Sequence, residues 1–142
     1  MIQILESWGR VLREKHNSRI LENNKNIYIQ IKNNLPGLPY GLGKSYGDVC
    51  LNTHGNVWQT SKLNRCINFN SEKGTIDCQA GISLYEIHKI TIPNGWMMPV
   101  SPGTQFISIG GAIANNIHGK NQHVMGTLSE HILNLKLLRT DG

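Results

Sequence analysis

Two glycine-rich segments hold most of the groups in this chain that could do chemistry. The first, Gly41-Leu42-Gly43-Lys44-Ser45-Tyr46-Gly47-Asp48, combines glycine turns with a cation, a hydroxyl and successive backbone N–H groups. Consecutive main-chain donors around such turns form concave nests that favour an anion, so the segment suits a phosphate. The second begins at Pro102-Gly103-Thr104 and continues through Gly110-Gly111-Ala112-Ile113-Ala114-Asn115-Asn116-Ile117-His118-Gly119-Lys120-Asn121. Glycine lets backbone approach a ligand where a Cβ would clash, and the small Ala112 and Ala114 keep the surface flat enough for a planar group. Two such segments imply one large, phosphate-bearing cofactor.

The first loop must be weighed against the dinucleotide fingerprint GxGxxG, which Gly41, Gly43 and Gly47 approach. The third glycine is one place late. Asn52, Thr53, His54 and Gly55 then stand where that fold needs an apolar-faced helix. Taken alone, the loop could equally be an ordinary tight turn. His118 taken alone is similarly ambiguous, because an isolated histidine is more often structural than catalytic. The remaining histidines, His16, His54, His88, His123 and His131, lack HxxxH or paired-acid spacing, so no metal site is expected.

Composition narrows the classes further. A chain of 142 residues, 39% hydrophobic and 16% charged, has material for one domain spanning residues 1–142. The formal net charge is +5, but Arg10, Arg13, Lys15, Lys62, Arg65, Lys136 and Arg139 are dispersed, with no run that would track a nucleic-acid backbone. A phosphate-bearing small molecule is the better match for that charge. Cys50, Cys66 and Cys78 show neither CxxC spacing nor an even count, so buried small hydrophobes are expected rather than a disulfide framework. The N-terminus lacks a basic stretch followed by an apolar core, and no run is long enough to span a bilayer. A cytoplasmic protein is expected, compatible with association at the inner membrane face.

The elements that must position the loops are partly legible. Ser83 with Glu86 three residues on forms a capping box, and Leu84, Ile87, His88 and Thr91 share a face up to Pro93, which predicts a helix. A helix is also expected within Leu21 to Leu35, stopped by Leu35-Pro36-Gly37. Asn56 to Thr60, Cys66 to Asn70 and Gly74 to Ala80 read as short strands of a small sheet. Ile132 to Thr140 reads as extended, ending at the turn dipeptide Asp141-Gly142. Trp58, Trp96, Met97 and Met98 are expected in packing roles, and Asp48 is expected to fix its own loop through local hydrogen bonds.

The order of these motifs resembles the vanillyl-alcohol-oxidase (PCMH-type) superfamily of FAD-binding domains, within it most of all the decaprenylphosphoryl-ribose oxidase (2-epimerase) flavoproteins. Trp8-Gly9-Arg10, both glycine segments and Leu138 to Gly142 carry the resemblance, Gly110 to Asn121 most specifically. It implies an α+β fold of two small α/β subdomains with FAD extended between them, truncated at its C-terminal end and lacking the substrate cap domain. Gly41, Leu42, Gly43, Lys44, Ser45, Tyr46 and Gly47 would then hold the pyrophosphate. Gly103, Ser108, Ile109, Gly110, Gly111, Asn115, Asn116, Ile117 and His118 would line the flavin and its phosphate-ribitol. Lys44 replaces the histidine of many covalently flavinylated relatives, which implies non-covalent FAD. His118 would sit beside the isoalloxazine as the catalytic residue. Gln122 departs from the histidine that close relatives place before His123. The implied reaction is oxidation of a secondary hydroxyl on a sugar or polyprenyl-phosphoryl sugar, with the ketone passing to a partner reductase. An aldonolactone or sugar-alcohol oxidase, or a non-catalytic FAD-binding module, is the alternative.

Overall fold

A computed structural model of the chain describes residues 1–22 and 26–141. It is a mixed α and β structure that divides into two compact units, Met1–Leu63 with Lys136–Gly142 and Asn64–Leu135.

The first unit is built on a four-stranded sheet of β1 (Ile2–Leu5), β2 (Glu14–Ile20), β3 (Gly37–Tyr40) and β4 (Asn56–Gln59), in the order β1-β2-β4-β3. β1 runs antiparallel to β2, whereas β4 runs parallel to both β2 and β3. The inner strand β2 escapes a hydropathy reading because its buried positions are His16 and Ser18. Both are given polar partners: His16 Nδ1 meets the Glu14 carbonyl at 2.8 Å, and Ser18 Oγ accepts from Gln59 Nε2. Between β2 and β3 lies α1 (Ile27–Lys32), capped by Asn26, whose Oδ1 accepts from Ile29 N at 3.2 Å. This helix is shorter than the one expected from Leu21 to Leu35, part of which lies outside the described residues. It ends before Leu35, where a following proline disfavours helical backbone. Leu21, Ile31, Trp58 and Leu63 form the core of this unit, so Trp58 has its expected packing role.

The second unit opens with a hairpin of β5 (Cys66–Asn70) and β6 (Thr75–Cys78), turned by Asn70, whose Oδ1 accepts from the N–H groups of Glu72 and Lys73. The expected strands are all present, but β4 belongs to the first unit's sheet and only β5 and β6 pair here. The predicted helix is α2 (Leu84–Thr91), and its capping box is complete: Ser83 Oγ accepts from Glu86 N at 3.1 Å, and Glu86 Oε2 accepts from Ser83 N at 2.9 Å. Leu84, Ile87, His88 and Thr91 are its buried face. Ile82, Leu84, Ile87, Ile109, Ala112 and Leu128 make one apolar cluster. Main-chain bonds from Leu84 N to Ile107 O at 3.0 Å and from Ile109 N to Ile82 O at 2.8 Å stitch the start of α2 to the second glycine segment. That segment is partly helical, forming α3 (Ile109–Ala114), and α4 (Gln122–Met125) comes after it.

Three expectations fail. Ile132 to Thr140 pairs with no strand among the described residues. Met97 is 66% exposed rather than packed, whereas Met98 packs on the second unit's apolar cluster and Trp96 lies against Gly74 of the hairpin turn, its Nε1 donating to the Ser71 carbonyl at 2.7 Å. The three cysteines are half-buried rather than buried.

Because Leu84 is fully buried in the second unit's cluster, Leu84→Ala is expected to destabilise that unit by about 2–5 kcal/mol. Urea denaturation of the two proteins side by side measures the difference.

Candidate functional site

In the first unit, the end of β3 feeds directly into the first glycine loop. Tyr40 anchors the junction. Its carbonyl accepts from Thr60 N at 3.0 Å, and its hydroxyl donates to the Glu6 carbonyl at 2.7 Å. Trp8 N donates to Ser45 O at 3.0 Å, and Ser7 Oγ donates to Asp48 Oδ1 at 2.8 Å. The loop is therefore strapped to residues 6–8. Asp48, expected to act locally, instead uses its side chain to reach that N-terminal segment. Burial, followed by the nearby Cys50 charge, holds the Tyr40 phenol above its ordinary value of 10.0, while its hydrogen bond to Glu6 works the other way. A raised acid stays protonated, so this donor persists through neutral pH and is lost only as pH rises past that ordinary value.

Gly43 has a φ of +64°, the one left-handed residue from Gly41 to Gly47. A Cβ there would collide with the Tyr40 hydroxyl and lie 2.7 Å from the Glu6 carbonyl oxygen. Among the described residues, no backbone N–H from Gly41 through Tyr46 has an acceptor. The loop is thus pinned through its side chains and carbonyls while its donors stay free, and a sign change in φ at Gly43 interrupts the run, as in an anion nest. Lys44 Nζ lies 5.5 Å from the Trp8 ring centroid, a cation–π placement that keeps a positive charge beside those donors. Tyr46 is 84% exposed.

The second unit distributes its groups differently. Ser108 is buried and caps α3, its Oγ accepting from Gly111 N at 3.3 Å. Gly110 N donates to Ala80 O at 2.7 Å, and Ile109 sits in the apolar cluster. A Cβ on Gly110 would fall 2.9 Å from both the Cβ and the carbonyl oxygen of Ala80, so this glycine is demanded by packing of the chain on itself. The amides of Ile109, Gly110 and Gly111 are consequently spent internally. The turn after α3 is tied down in the same way. Asn115 donates to Gly111 O through N and Nδ2, Asn116 adopts φ +41° with its Oδ1 accepting from Ser129 N at 2.9 Å, and Ile117 O accepts from Leu128 N at 2.9 Å. His118 comes next, on the surface, bridged through its backbone to Thr127, and its ring has no hydrogen-bond partner among the described residues.

Gly103 lies on an open groove of about 490 Å³ whose lining includes His88, Ser101, Thr104 and Gln105, and Ser101 is also close to Gly119. Sequence reasoning missed the polar side of this groove. His88 Nδ1 faces Gln105 Oε1 at 3.5 Å, whereas His88 Nε2 and Ser101 Oγ are buried without partners among the described residues. The available signal was the position of His88 on the buried face of a capped helix. Glu6 and Ser7, which strap the first loop, carried no local signal at all.

A family model described as an FAD binding domain matches residues 28–142. The chain belongs to that family. Decaprenylphosphoryl-beta-D-ribose oxidase of Mycolicibacterium smegmatis is 41% identical over 102 residues, a stretch covering 72% of this chain and 22% of that protein. The mitochondrial D-lactate dehydrogenase [cytochrome] 1 of Saccharomyces cerevisiae is 31% identical over 114 residues, or 78% of this chain and 19% of its own length. The chain therefore spans about a fifth of the length of these two relatives. A solved alkyldihydroxyacetonephosphate synthase shares the fold, with a TM-score of 0.72 over 92% of this chain and 27% of that one at 14% identity. The residues present fit FAD at its phosphates, since the unpaired amides on either side of left-handed Gly43 and the adjacent Lys44 make up the donor set that an anion needs.

Two substitutions separate the loops. Gly43→Ala should cost about 1–3 kcal/mol, because an alanine must hold left-handed backbone against two oxygens. Gly110→Val should lower the melting temperature without any cofactor present, through collision with Ala80. Differential scanning calorimetry of the cofactor-free proteins tests both.

Proposed function

We propose that this FAD-binding domain serves an enzyme that oxidises a secondary hydroxyl of a sugar, most closely a polyprenyl-phosphoryl pentose. The observation that carries the reading is the loop from Gly41 to Tyr46, whose unpaired amides are held in place by Tyr40, Ser45 and Asp48. Two negative phosphates need several preorganised donors, and charge-assisted hydrogen bonds of this kind are roughly twice as strong as neutral ones. Gly41, Leu42, Gly43, Lys44, Ser45, Tyr46 and Gly47 take the pyrophosphate in this scheme. Lysine at 44 supports dissociable, non-covalent FAD.

Gly103, Ser108, Ile109, Gly110, Gly111, Asn115, Asn116 and Ile117 line the flavin, the buried ones by shaping the surface and the exposed amides by contact. When bound, the flavin supplies the hydride acceptor for the carbinol carbon. Removal of a hydride leaves one proton on the substrate oxygen, which His118 takes in this scheme; an exposed ring with no partner to surrender first supports that reading. Lys120 lies two residues on and suits a substrate phosphate. The ketone product calls for a partner reductase. A polyprenyl substrate puts the enzyme on the cytoplasmic side of the inner membrane as a peripheral protein, and among the described residues no helix is long and apolar enough to cross a membrane. The relative named for decaprenylphosphoryl-ribose supports this substrate class, and the one named for D-lactate shares its secondary carbinol.

Titration with FAD, followed by flavin fluorescence and melting temperature, is the test. FAD should raise the melting temperature, and denaturation in trichloroacetic acid should release all of the flavin into the supernatant. Lys44→Ala should weaken binding by about tenfold, the effect of losing one charged hydrogen bond of about 1.5 kcal/mol. His118→Ala should leave affinity near that of wild type while turnover falls by about 100-fold or more, as expected for lost proton transfer. A panel of a polyprenyl-phosphoryl pentose, an aldonolactone and a sugar alcohol then assigns the substrate. The domain alone is expected to be inactive, so turnover is measured on a longer chain that includes the substrate domain; FAD binding there with no turnover on any of them would leave a non-catalytic module, and absence of binding would overturn the reading.

A further inference from the structure

Two of the chain's cysteines lie opposite each other where the β5–β6 hairpin opens. Cys66 and Cys78 are register partners at the end far from the turn. The bond from Gln79 N to Arg65 O, 2.9 Å long, lies one residue outside this pair on each strand. In an antiparallel ladder that pattern marks the enclosed residues as a non-hydrogen-bonded pair, in which Cα atoms approach to about 4.5 Å and side chains come closest. A disulfide requires a Cα separation of about 4.4–6.8 Å. Both side chains also pack on the same apolar cluster with Ile76, so they project from the same face of the hairpin. The bulge between Cys66 and Asn68 begins beyond the pair and leaves its register intact.

We propose that Cys66 and Cys78 are a redox modification site, closing reversibly into a cross-strand disulfide that clamps the open end of the hairpin. This chemistry needs no bound FAD. Its mechanical effect falls on the segment just after β6: Ala80 and Ile82 supply the carbonyls that seat Gly110 and Ile109, so a clamp at Cys78 stiffens the backbone on which α3 rests.

With hydrogen peroxide as oxidant, Cys66 sulfur attacks one peroxide oxygen and the O–O bond breaks, giving a sulfenic acid at Cys66 and water. Cys78 sulfur then attacks the Cys66 sulfur and expels hydroxide, which leaves as the second water after taking the Cys78 proton. Two thiols and one peroxide become one disulfide and two waters. The order of attack is set by Cys78, whose thiol is pushed up to about 11, first by burial and then by the neighbouring Cys66 and Asp77 charges. A thiol so raised stays protonated at neutral pH, which leaves Cys66 to react first and makes ring closure faster as pH climbs toward that value.

Peptide mapping after peroxide treatment reads the outcome on the wild-type protein. Trypsin cuts at Arg65, Lys73 and Lys89, so the two cysteines fall on separate peptides, 66–73 and 74–89, while Cys50 lies on a third, 45–62. The expected result is a non-reduced species joining the first two, short of their summed mass by two hydrogens and resolved by dithiothreitol. Cys50→Ser should leave it unchanged. In Cys78→Ser, dimedone should trap the sulfenic acid on peptide 66–73. The oxidised wild type should melt at a higher temperature than the reduced form, and closure should accelerate between pH 7 and pH 9. Peptides 66–73 and 74–89 remaining unlinked, Cys50 found in the bond, or only intermolecular dimers would overturn the proposal.

Discussion

The Glu6 carbonyl and the left-handed turn at Gly43 set the constraint on which the first loop depends. Six successive backbone donors, Gly41 to Tyr46, have no acceptor among the described residues, and a loop with so few main-chain bonds would ordinarily be mobile. It is held by groups that leave those donors alone. The Tyr40 hydroxyl reaches Glu6, the Ser45 carbonyl takes Trp8 N, and the Asp48 carboxylate takes Ser7 Oγ. Because all three ties converge on residues 6–8, the anion cradle depends on β1 being in place, and β1 in turn depends on β2, whose buried face is His16 and Ser18.

The second unit solves a different problem. Its glycine segment begins as a capped helix whose amides are already bonded to Ser108 Oγ, Ile82 O and Ala80 O. Gly110 is conformationally ordinary; its hydrogen side chain is needed so that α3 can press onto Ala80. Similar-looking glycine runs thus do opposite work. One keeps donors free, and the other spends them to hold its own backbone in place. In the turn that follows, Asn115 Nδ2 and Asn116 Oδ1 are engaged by Gly111 O and Ser129 N, and the ring of exposed His118 has no partner among the described residues.

Legibility in the sequence tracks which interactions are local. The Ser83–Glu86 box and the buried stripe of α2 are written within nine residues, and both were readable. The β5–β6 hairpin was readable for the same reason, since its Asx turn at Asn70 is a four-residue device. β1 and β2 were not, because the inward face of β2 is polar: His16 Nδ1 meets Glu14 O, His16 Nε2 is buried without a partner among the described residues, and Ser18 accepts from Gln59, 41 residues away. Asp48 misled in the same way: its type suggested a local cap, yet its partner is Ser7, 41 residues earlier in the chain. Ile132 to Thr140 had strand-like composition with no partner strand to pair with among the described residues, and composition alone cannot supply one.

The hairpin that carries Cys66 and Cys78 ties the second unit's elements to one another. It has only two strands, and a two-stranded ribbon is marginal unless something packs on it. Here the packing comes from α2 and α3, whose apolar cluster includes Ile82, Leu84, Ile87 and Ile109, with Cys66, Ile76 and Cys78 resting against it. The residues just after β6 supply carbonyls to α3 and, through Ser83, the cap of α2. A single short stretch, Cys78 to Glu86, therefore links sheet edge, helix start and glycine segment. Any change in how tightly β6 is held is transmitted through main-chain hydrogen bonds, which have little freedom to stretch, rather than through side-chain contacts that could repack. The placement of a thiol pair at the start of that stretch gives covalent chemistry its largest leverage on the surface offered by α3.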